Sequence, residues 1–306
     1  GVHGLLDWSG PIMTDSGTFQ SHVYGEIDMQ PEEILNFQKK IGVDIGTVLD
    51  VFCEPETRFE DAKKELEETQ KRIEESDKNK DSIFLAAPIQ GGRHLDLRLK
   101  AAQMASKTNA DLFPIGGVVP LMEKNNFKML AEVIIASKKG LDTSKPVHLF
   151  GCGHPMLFAL ATFLGCDLFD SSSYAKFASR DSLMFTWGTR NLEELEIIPS
   201  EFSAAPGINI DELKAMEKKE RQKIIAKHNL IASFAEIRRV KQAIHDGLLW
   251  ELVENRLRTS PALMKVFEVI KKEIDWIGKF EPAYRYKTPL KTGEESDFRP
   301  VFSNLS

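Results

Sequence analysis

Two aspartates in short polar turns are the first residues of this sequence whose types could do chemistry. Asp15 stands in Met13-Thr14-Asp15-Ser16-Gly17-Thr18-Phe19-Gln20, and Asp170 ends the run Asp167-Leu168-Phe169 ahead of three serines and Tyr174. A carboxyl held by a Ser-Gly turn can accept or donate a proton. A carboxylate whose spare lone pairs are satisfied by hydroxyls can serve as a nucleophile. Two such groups flanking a glycosidic bond divide the work: one attacks the oxocarbenium-like centre and the other moves the proton. Each residue also has a plainer reading, Asp15 as an Asx-turn and Asp170 as a helix N-cap.

Further candidates occupy similar places. Ala87-Pro88-Ile89-Gln90-Gly91-Gly92 and Phe113-Pro114-Ile115-Gly116-Gly117-Val118 each end an apolar run in a double glycine. Paired glycines let backbone approach a flat ligand, and they equally suit a tight strand-to-helix turn. Asp50 closes Val48-Leu49 and offers an acceptor-only group to the N–H edge of a purine. Phe19 can stack on a base. His154, in Gly151-Cys152-Gly153-His154-Pro155, reads as structural rather than catalytic.

The elements that must position these residues are short apolar runs alternating with amphipathic stretches. Runs at 42–50, 83–88, 111–115, 147–150 and 167–170 read as strands. Residues 31–41, 58–78, 95–106, 127–138 and 155–164 read as helices. The first of these has Pro31 and two acids at its start, Ile34, Phe37 and Ile41 on one face, and Gly42 as its stop. Strand alternating with helix implies a parallel sheet. No G-x-G-x-x-G follows a strand, which argues against a dinucleotide site. The candidate residues fall just after the runs, where a (β/α)8 TIM-type barrel builds its active site. An open doubly wound sheet uses the same strand ends, but the pattern favours the barrel. With five strands visible, part of that barrel is expected to be missing. The expected organisation is a catalytic barrel core over residues 1–200 and a helical C-terminal region over 201–306. Within the latter, a helix starts at Asp211, an amphipathic stretch runs from Arg221 to Glu254, Pro261 interrupts, and a loop-like tail follows Pro282.

The hydrophobic share is 42% of 306 residues, enough for one large core or two smaller ones. With 40 basic and 46 acidic residues the net charge is −6, unlike a free-standing nucleic-acid binder. Residues 201–280 carry 15 Lys/Arg against 12 Asp/Glu, so a polyanion would meet that part first. Cys53, Cys152 and Cys166 lack zinc-knuckle or redox spacing and read as reduced thiols of a cytoplasmic protein. No apolar run reaches membrane-spanning length.

Taken together, the strings TDSGTFQ, VDIGTVLD, PIQGG, PIGGVVPLME, HLFGCGHP and DLFDSSSYA, in this order, resemble the archaeal tRNA-guanine transglycosylases of the archaeosine branch. The resemblance runs from about Val2 to the mid-230s and continues more weakly to the tail. It implies a (β/α)8 barrel that exchanges guanine at position 15 of the tRNA D-arm for preQ0, 7-cyano-7-deazaguanine, in archaeosine biosynthesis. It implies Asp170 as the nucleophile of a covalent tRNA intermediate and Asp15 as the general acid/base. Ser16, Asp50, Gln90, Gly116, Gly117 and Val118 fall on base-binding positions and Phe19 on the stacking aromatic. The implied partners are tRNA, the free base, and a second copy or a partner polypeptide, with no membrane.

The sequence departs from the family pattern in three ways. The family's three zinc cysteines appear as Ser200, Phe202 and Ala205, while the histidine survives as His228. One imidazole cannot hold a structural zinc, so no metal or other cofactor is expected, with apolar packing taking the metal's place. The opening barrel segment and the C-terminal RNA-binding extension are also expected to be missing. These departures keep open a non-catalytic tRNA-binding or partner subunit of a split transglycosylase. An archaeosine-forming amidotransfer paralogue would not need both aspartates, and the SSSYA string disfavours a queuosine-type enzyme.

Overall fold

A computed structural model of the chain describes residues 1–18, 30–197, 204–205, 207–281 and 290–303. They fall into two compact units, Gly1–Phe150 with Gly165–Leu168, and Gly151–Leu164 with Phe169–Ser306.

The first unit is a series of strand–helix repeats. A short helix α1 (Val2–Leu6) precedes Met13, and α2 (Pro31–Ile41), β1 (Ile45–Thr47), α3 (Phe59–Asn79) and β2 (Phe84–Ala86) follow. Next come α4 (Leu95–Ala105), β3 (Phe113–Ile115), α5 (Val119–Glu123), α6 (Phe127–Gly140) and β4 (Val147–Leu149). Leu168 begins β5 (Leu168–Phe169), which neighbours β4. Met13 bridges Ile45 in parallel, and β1 pairs with β2 in register Ile45–Phe84 and Thr47–Ala86. Parallel bridges at Ala86–Leu112 and Ile89–Ile115 carry the ladder to β3, which pairs with β4. From Met13 to β4 the strands therefore neighbour one another in chain order, without the reversal that marks a doubly wound sheet. Every residue of β3 and β4 is buried, as in a parallel sheet covered on both faces.

Local chemistry sets these elements. Gln30 and Glu33 close a capping box around Pro31 at the start of α2, and Gly42, at φ 80°, ends it in the left-handed region. An aspartate ahead of a strand accepts the backbone N–H that opens the preceding strand in three places. Asp44 takes Ile12 N–H at 2.7 Å, Asp111 takes Leu85 N–H at 2.9 Å, and Asp167 takes Val147 N–H at 2.8 Å. Buried Gln38 behaves like a short piece of strand. Its amide donates to Thr47 O at 2.9 Å and accepts from Thr47 N at 2.7 Å and from Thr14 Oγ1 at 2.8 Å. Thr47 Oγ1 donates to Thr14 O at 2.6 Å. The segment leading to Asp15 is thereby tied to the strand leading to Asp50.

The second unit is mainly helical. It contains α7 (Pro155–Phe163), α8 (Ser173–Ala178), an antiparallel hairpin β6 (Ser182–Phe185)–β7 (Gly188–Asn191), α9 (Ile210–Ala215) and α10 (Lys218–His245). Then follow α11 (Leu249–Leu257), α12 (Pro261–Met264), α13 (Val266–Lys272), α14 (Ile274–Ile277) and α15 (Pro300–Ser303). α7 packs on α10 and α11. Leu183, Phe185, Leu192, Leu213 and Ile225 form an apolar core between hairpin and helices.

The expected helices and strands of the first unit match the structure to within a few residues. Two expectations for the second unit change. The amphipathic stretch 221–254 is two helices, parted where Gly247 takes φ 67°. The tail after residue 290 is anchored, because Arg299 is fully buried and pairs with Glu251 and with Glu281, each at 2.9 Å. A buried guanidinium left without those carboxylates would be strongly destabilising. Among the described residues, no helix is long and apolar enough to cross a membrane.

Candidate active site

The loop after Met13 brings Asp15 to the surface and folds Ser16 inward. Ser16 Oγ and Thr18 Oγ1 are 3.0 Å apart, and Thr18 Oγ1 donates to the backbone carbonyl of Asp50 at 3.3 Å. Gly17 takes φ 89°, which turns the chain at this point. Asp15 makes no Asx-turn hydrogen bond among the described residues, so its carboxylate is available to solvent or a ligand. Phe19 lies outside the described residues.

Asp50 is buried at the C-terminal side of β1. Gln90, buried beyond β2, donates its amide Nε2 to Asp50 Oδ2 at 2.5 Å. Burial pushes the Asp50 carboxyl above its ordinary range, the Gln90 hydrogen bond opposes that, and the nearby Asp15 charge adds to it. On the other side, Arg72 Nη1 donates to Leu49 O at 3.2 Å and to Asp50 O at 3.4 Å, fixing the backbone.

Gly116 and Gly117 complete this cluster. A Cβ on Gly116 would stand 2.5 Å from Gln90 Nε2 and 3.6 Å from Asp50 Oδ2. At Gly117, with φ 67°, a Cβ would stand 2.5 Å from Cys53 O and 2.9 Å from Gln90 Oε1. At Gly117 the Cys53 carbonyl leaves no room for a side chain, and at Gly116 one would have to push aside the Gln90 amide. Val118, fully buried, is the N-cap residue of α5. Gln90 Oε1 is buried with no hydrogen-bond partner. An unfilled buried acceptor beside a buried carboxyl suits a ligand that presents N–H groups in one plane.

Asp170 belongs to the second unit. It is exposed at the end of β5 and accepts the Gly151 N–H at 2.8 Å. It does not cap the following helix: the N-cap of α8 is Ser172, and Ser171 Oγ takes the Ser173 N–H at 2.7 Å. Gly153 lies against that turn, with a Cβ there falling 1.6 Å from Ser171 Oγ. His154 caps α7, its Nδ1 accepting from Met156 N at 3.3 Å. Its Nε2 then carries the proton donated to Thr189 Oγ1 at 2.9 Å. Burial pulls this imidazole down to about 4, so it is neutral at physiological pH.

His228, the position that the family resemblance assigned to zinc, is already engaged. His228 is fully buried, its Nε2 hydrogen-bonds Met184 O at 3.1 Å, and its ring packs 5.2 Å from that of Phe185. Asn229 beside it accepts Met184 N–H and donates to Ser182 O. Ala204 and Ala205 pack in or against the apolar core of the hairpin. Ser200 and Phe202 lie outside the described residues, and Phe202 carries no donor atom. These residues do not fit a zinc ion, and among the described residues no group of three or more His, Cys, Asp or Glu is placed to hold one.

Sequence reasoning missed Gln38 and Arg98. Arg98 is a charged residue between two apolar ones, Leu97 and Leu99, and that mismatch is the signal that could have found it; Gln38, between Phe37 and Lys39, carries no such signal.

A parallel α/β unit with an acceptor cluster at its strand ends, together with a helical unit that carries a further carboxylate, belongs to the queuine tRNA-ribosyltransferase family, whose model matches residues 1–262. Among the similar proteins is the tRNA-guanine(15) transglycosylase of Methanocaldococcus jannaschii, 48% identical over 98% of this chain and 47% of that protein. That of Methanothermobacter thermautotrophicus is 46% identical over 97% of this chain and 45% of its own length. That of Methanococcus vannielii is 45% identical over 98% and 47%. The chain thus spans about half the length of the curated relatives it matches.

Proposed function

We propose that this chain is the catalytic core of a tRNA-guanine(15) transglycosylase, which removes guanine from the D-arm and inserts preQ0. The observation that carries the reading is the buried Asp50–Gln90 pair beneath Gly116 and Gly117, with Asp15 alongside. The pair offers buried acceptors, the Asp50 carboxyl and Gln90 Oε1, to the N–H groups of a guanine-like edge. The relatives are tRNA-guanine(15) transglycosylases, which supports that substrate. The unbroken chain-order pairing of parallel strands supports a (β/α)8 barrel, whose ligands bind at the C-terminal strand ends.

In this reading the target nucleotide leaves its stack. Asp170 attacks C1′ of the ribose, the glycosidic bond breaks, and Asp15 gives a proton to the departing guanine. Asp15 next takes a proton from the incoming base, whose nitrogen attacks C1′ and releases the Asp170 carboxylate. The mechanism requires both carboxyl groups to reach one anomeric carbon. The excess of basic residues between 201 and 280 favours that stretch as the contact for tRNA phosphates.

Incubation with tRNA and labelled guanine tests the proposal. Label should enter tRNA, and Asp170→Ala should abolish both incorporation and a denaturant-resistant protein–tRNA adduct. Tight tRNA binding with neither exchange nor adduct would overturn the reading in favour of a non-catalytic tRNA-binding subunit.

A further inference from the structure

We propose that Arg98 is a positioning residue of the base pocket, locking the loops that carry Gln90 and Gly116-Gly117 and deciding which end of the Gln90 amide faces Asp50. The inference rests on reading that pocket as a purine site.

Arg98 lies in α4 and is fully buried. Its Nε donates to Gly92 O at 2.8 Å, and its Nη1 donates to Ile89 O at 2.7 Å and to Gly116 O at 2.8 Å. These carbonyls belong to the loops after β2 and β3, the two that form the floor and wall around Asp50. Among the described residues Arg98 has no carboxylate partner, and the nearby Cys53 thiol is held protonated by burial. Burial lowers the guanidinium to about 10, which leaves it protonated at neutral pH. A buried cation held by carbonyl dipoles alone is unusual, since buried charges are normally paired. Only the planar guanidinium fork reaches three diverging carbonyls at once; an ammonium presents a single point.

Arg98 Nη2 has no partner, and neither does Gln90 Oε1. They lie 3.4 Å and 2.9 Å from one point, the place a Cβ would take on Gly117. A cation on that side attracts the oxygen of the Gln90 amide and repels its NH2 group. The amide is thereby held with Nε2 towards Asp50, which leaves the carboxyl free to accept from a base. Without Arg98 the amide can flip, setting oxygen against Asp50 Oδ2 across a 2.5 Å gap that two unprotonated acceptors cannot share.

The test compares the full chain with Arg98→Met, which keeps the stem, and Arg98→Lys, which keeps the charge. Guanine binding is measured by calorimetry, and exchange kinetics are measured with guanine and tRNA varied separately. The expected result is a guanine Kd and KM raised about tenfold or more, with the KM for tRNA held within about twofold. If one variant fails to fold, the other carries the test. Unchanged guanine affinity in a folded variant overturns the proposal, as do equal losses for guanine and tRNA. Failure of both variants to fold assigns Arg98 to stability alone and overturns it too. A wild-type chain that does not bind guanine also overturns it. A wild-type chain that binds guanine in this Arg98-dependent way but incorporates none would sink the exchange reading and leave this one standing.

Discussion

Gln90 donates to Asp50 at 2.5 Å in a place where both side chains are out of reach of water. A lone buried carboxylate is disfavoured, and here the amide hydrogen bond offsets only part of that penalty. The pair is therefore a local destabilisation kept at the strand ends, where a ligand's N–H groups would relieve it.

Asp50→Asn makes this measurable. The folded chain holds the Asp50 proton more tightly than the unfolded chain, whose ordinary value is 3.8. Stability therefore falls as pH rises from that value through the raised folded value, and the penalty is complete above it. Asparagine removes the titration and still accepts from Gln90. The variant is expected to unfold at higher urea than the parent near neutral pH, with the gap closing towards acid pH. Its guanine affinity should fall about tenfold, because a neutral amide replaces the charged acceptor. A gap that does not change with pH would remove the burial argument.

Gly117→Ala meets two obstacles at once. The backbone sits at φ 67°, and the new methyl would stand 2.5 Å from the Cys53 carbonyl oxygen. We expect a loss of about 2 kcal/mol or more in unfolding free energy, together with loss of guanine binding. Denaturant titration and calorimetry on the same sample check both. A fully stable variant with normal guanine affinity would show that this backbone has room to move.

His154 gives the opposite pH signature. Its folded value is about 4 against an ordinary 6.5, so the unfolded chain takes up the proton first. Stability contributed by the neutral ring is complete above the ordinary value and is lost as pH falls towards 4, by at most about 3 kcal/mol. His154→Gln should flatten that acid limb. Urea midpoints measured between pH 4 and 7 for parent and variant decide it; parallel curves would mean that the imidazole titrates freely.

What the sequence revealed depended on range. Pro31, Glu33 and Gly42 bound α2 because capping acts within a turn, so the helix was readable to the residue. The double glycines were readable as places of close approach, but their reason lies in Gln90, Asp50 and Cys53, from other loops. Asp44, Asp111 and Asp167 share one pattern, an aspartate set between apolar residues just ahead of a strand. The aspartates that tie strands and the one that lines the pocket look alike until the fold separates them. The hairpin at 182–191 escaped notice because its turn, Thr186-Trp187, carries no Asn-Gly or Asp-Gly signal. The Leu97-Arg98-Leu99 mismatch could mark Arg98 as buried, but not its role, because its partners are backbone carbonyls that no residue type reveals.

The cysteines and His228 make a joint prediction. Cys53, Cys152 and Cys166 are all buried, and burial pushes Cys53 and Cys166 up to about 12. Thiolate is the reactive form, so a disulfide-exchange reagent should label the native chain far more slowly than the denatured one. Metal analysis should find no stoichiometric zinc, and a chelator should leave the thermal midpoint unchanged. Chelator-induced unfolding would show that ligands outside the described residues complete a site with His228.

Gly153→Ala probes the proposed role of Asp170 without altering a carboxylate. A methyl at this position would overlap Ser171, coming 1.6 Å from Oγ and 3.2 Å from Cα, so the backbone itself must move. Ser171 follows Asp170, and the Asp170 carboxylate is aimed by the Gly151 N–H only two residues before Gly153. Displacing that turn should misplace the carboxylate relative to C1′, where an ångström can cost about a hundredfold in rate. The Asp50 pocket is built from other residues and should keep its guanine affinity. The expected pattern is a large fall in kcat for exchange and in adduct formation, with guanine Kd unchanged. A guanine affinity that fell in step with kcat would overturn the proposed role of Asp170 as the attacking group.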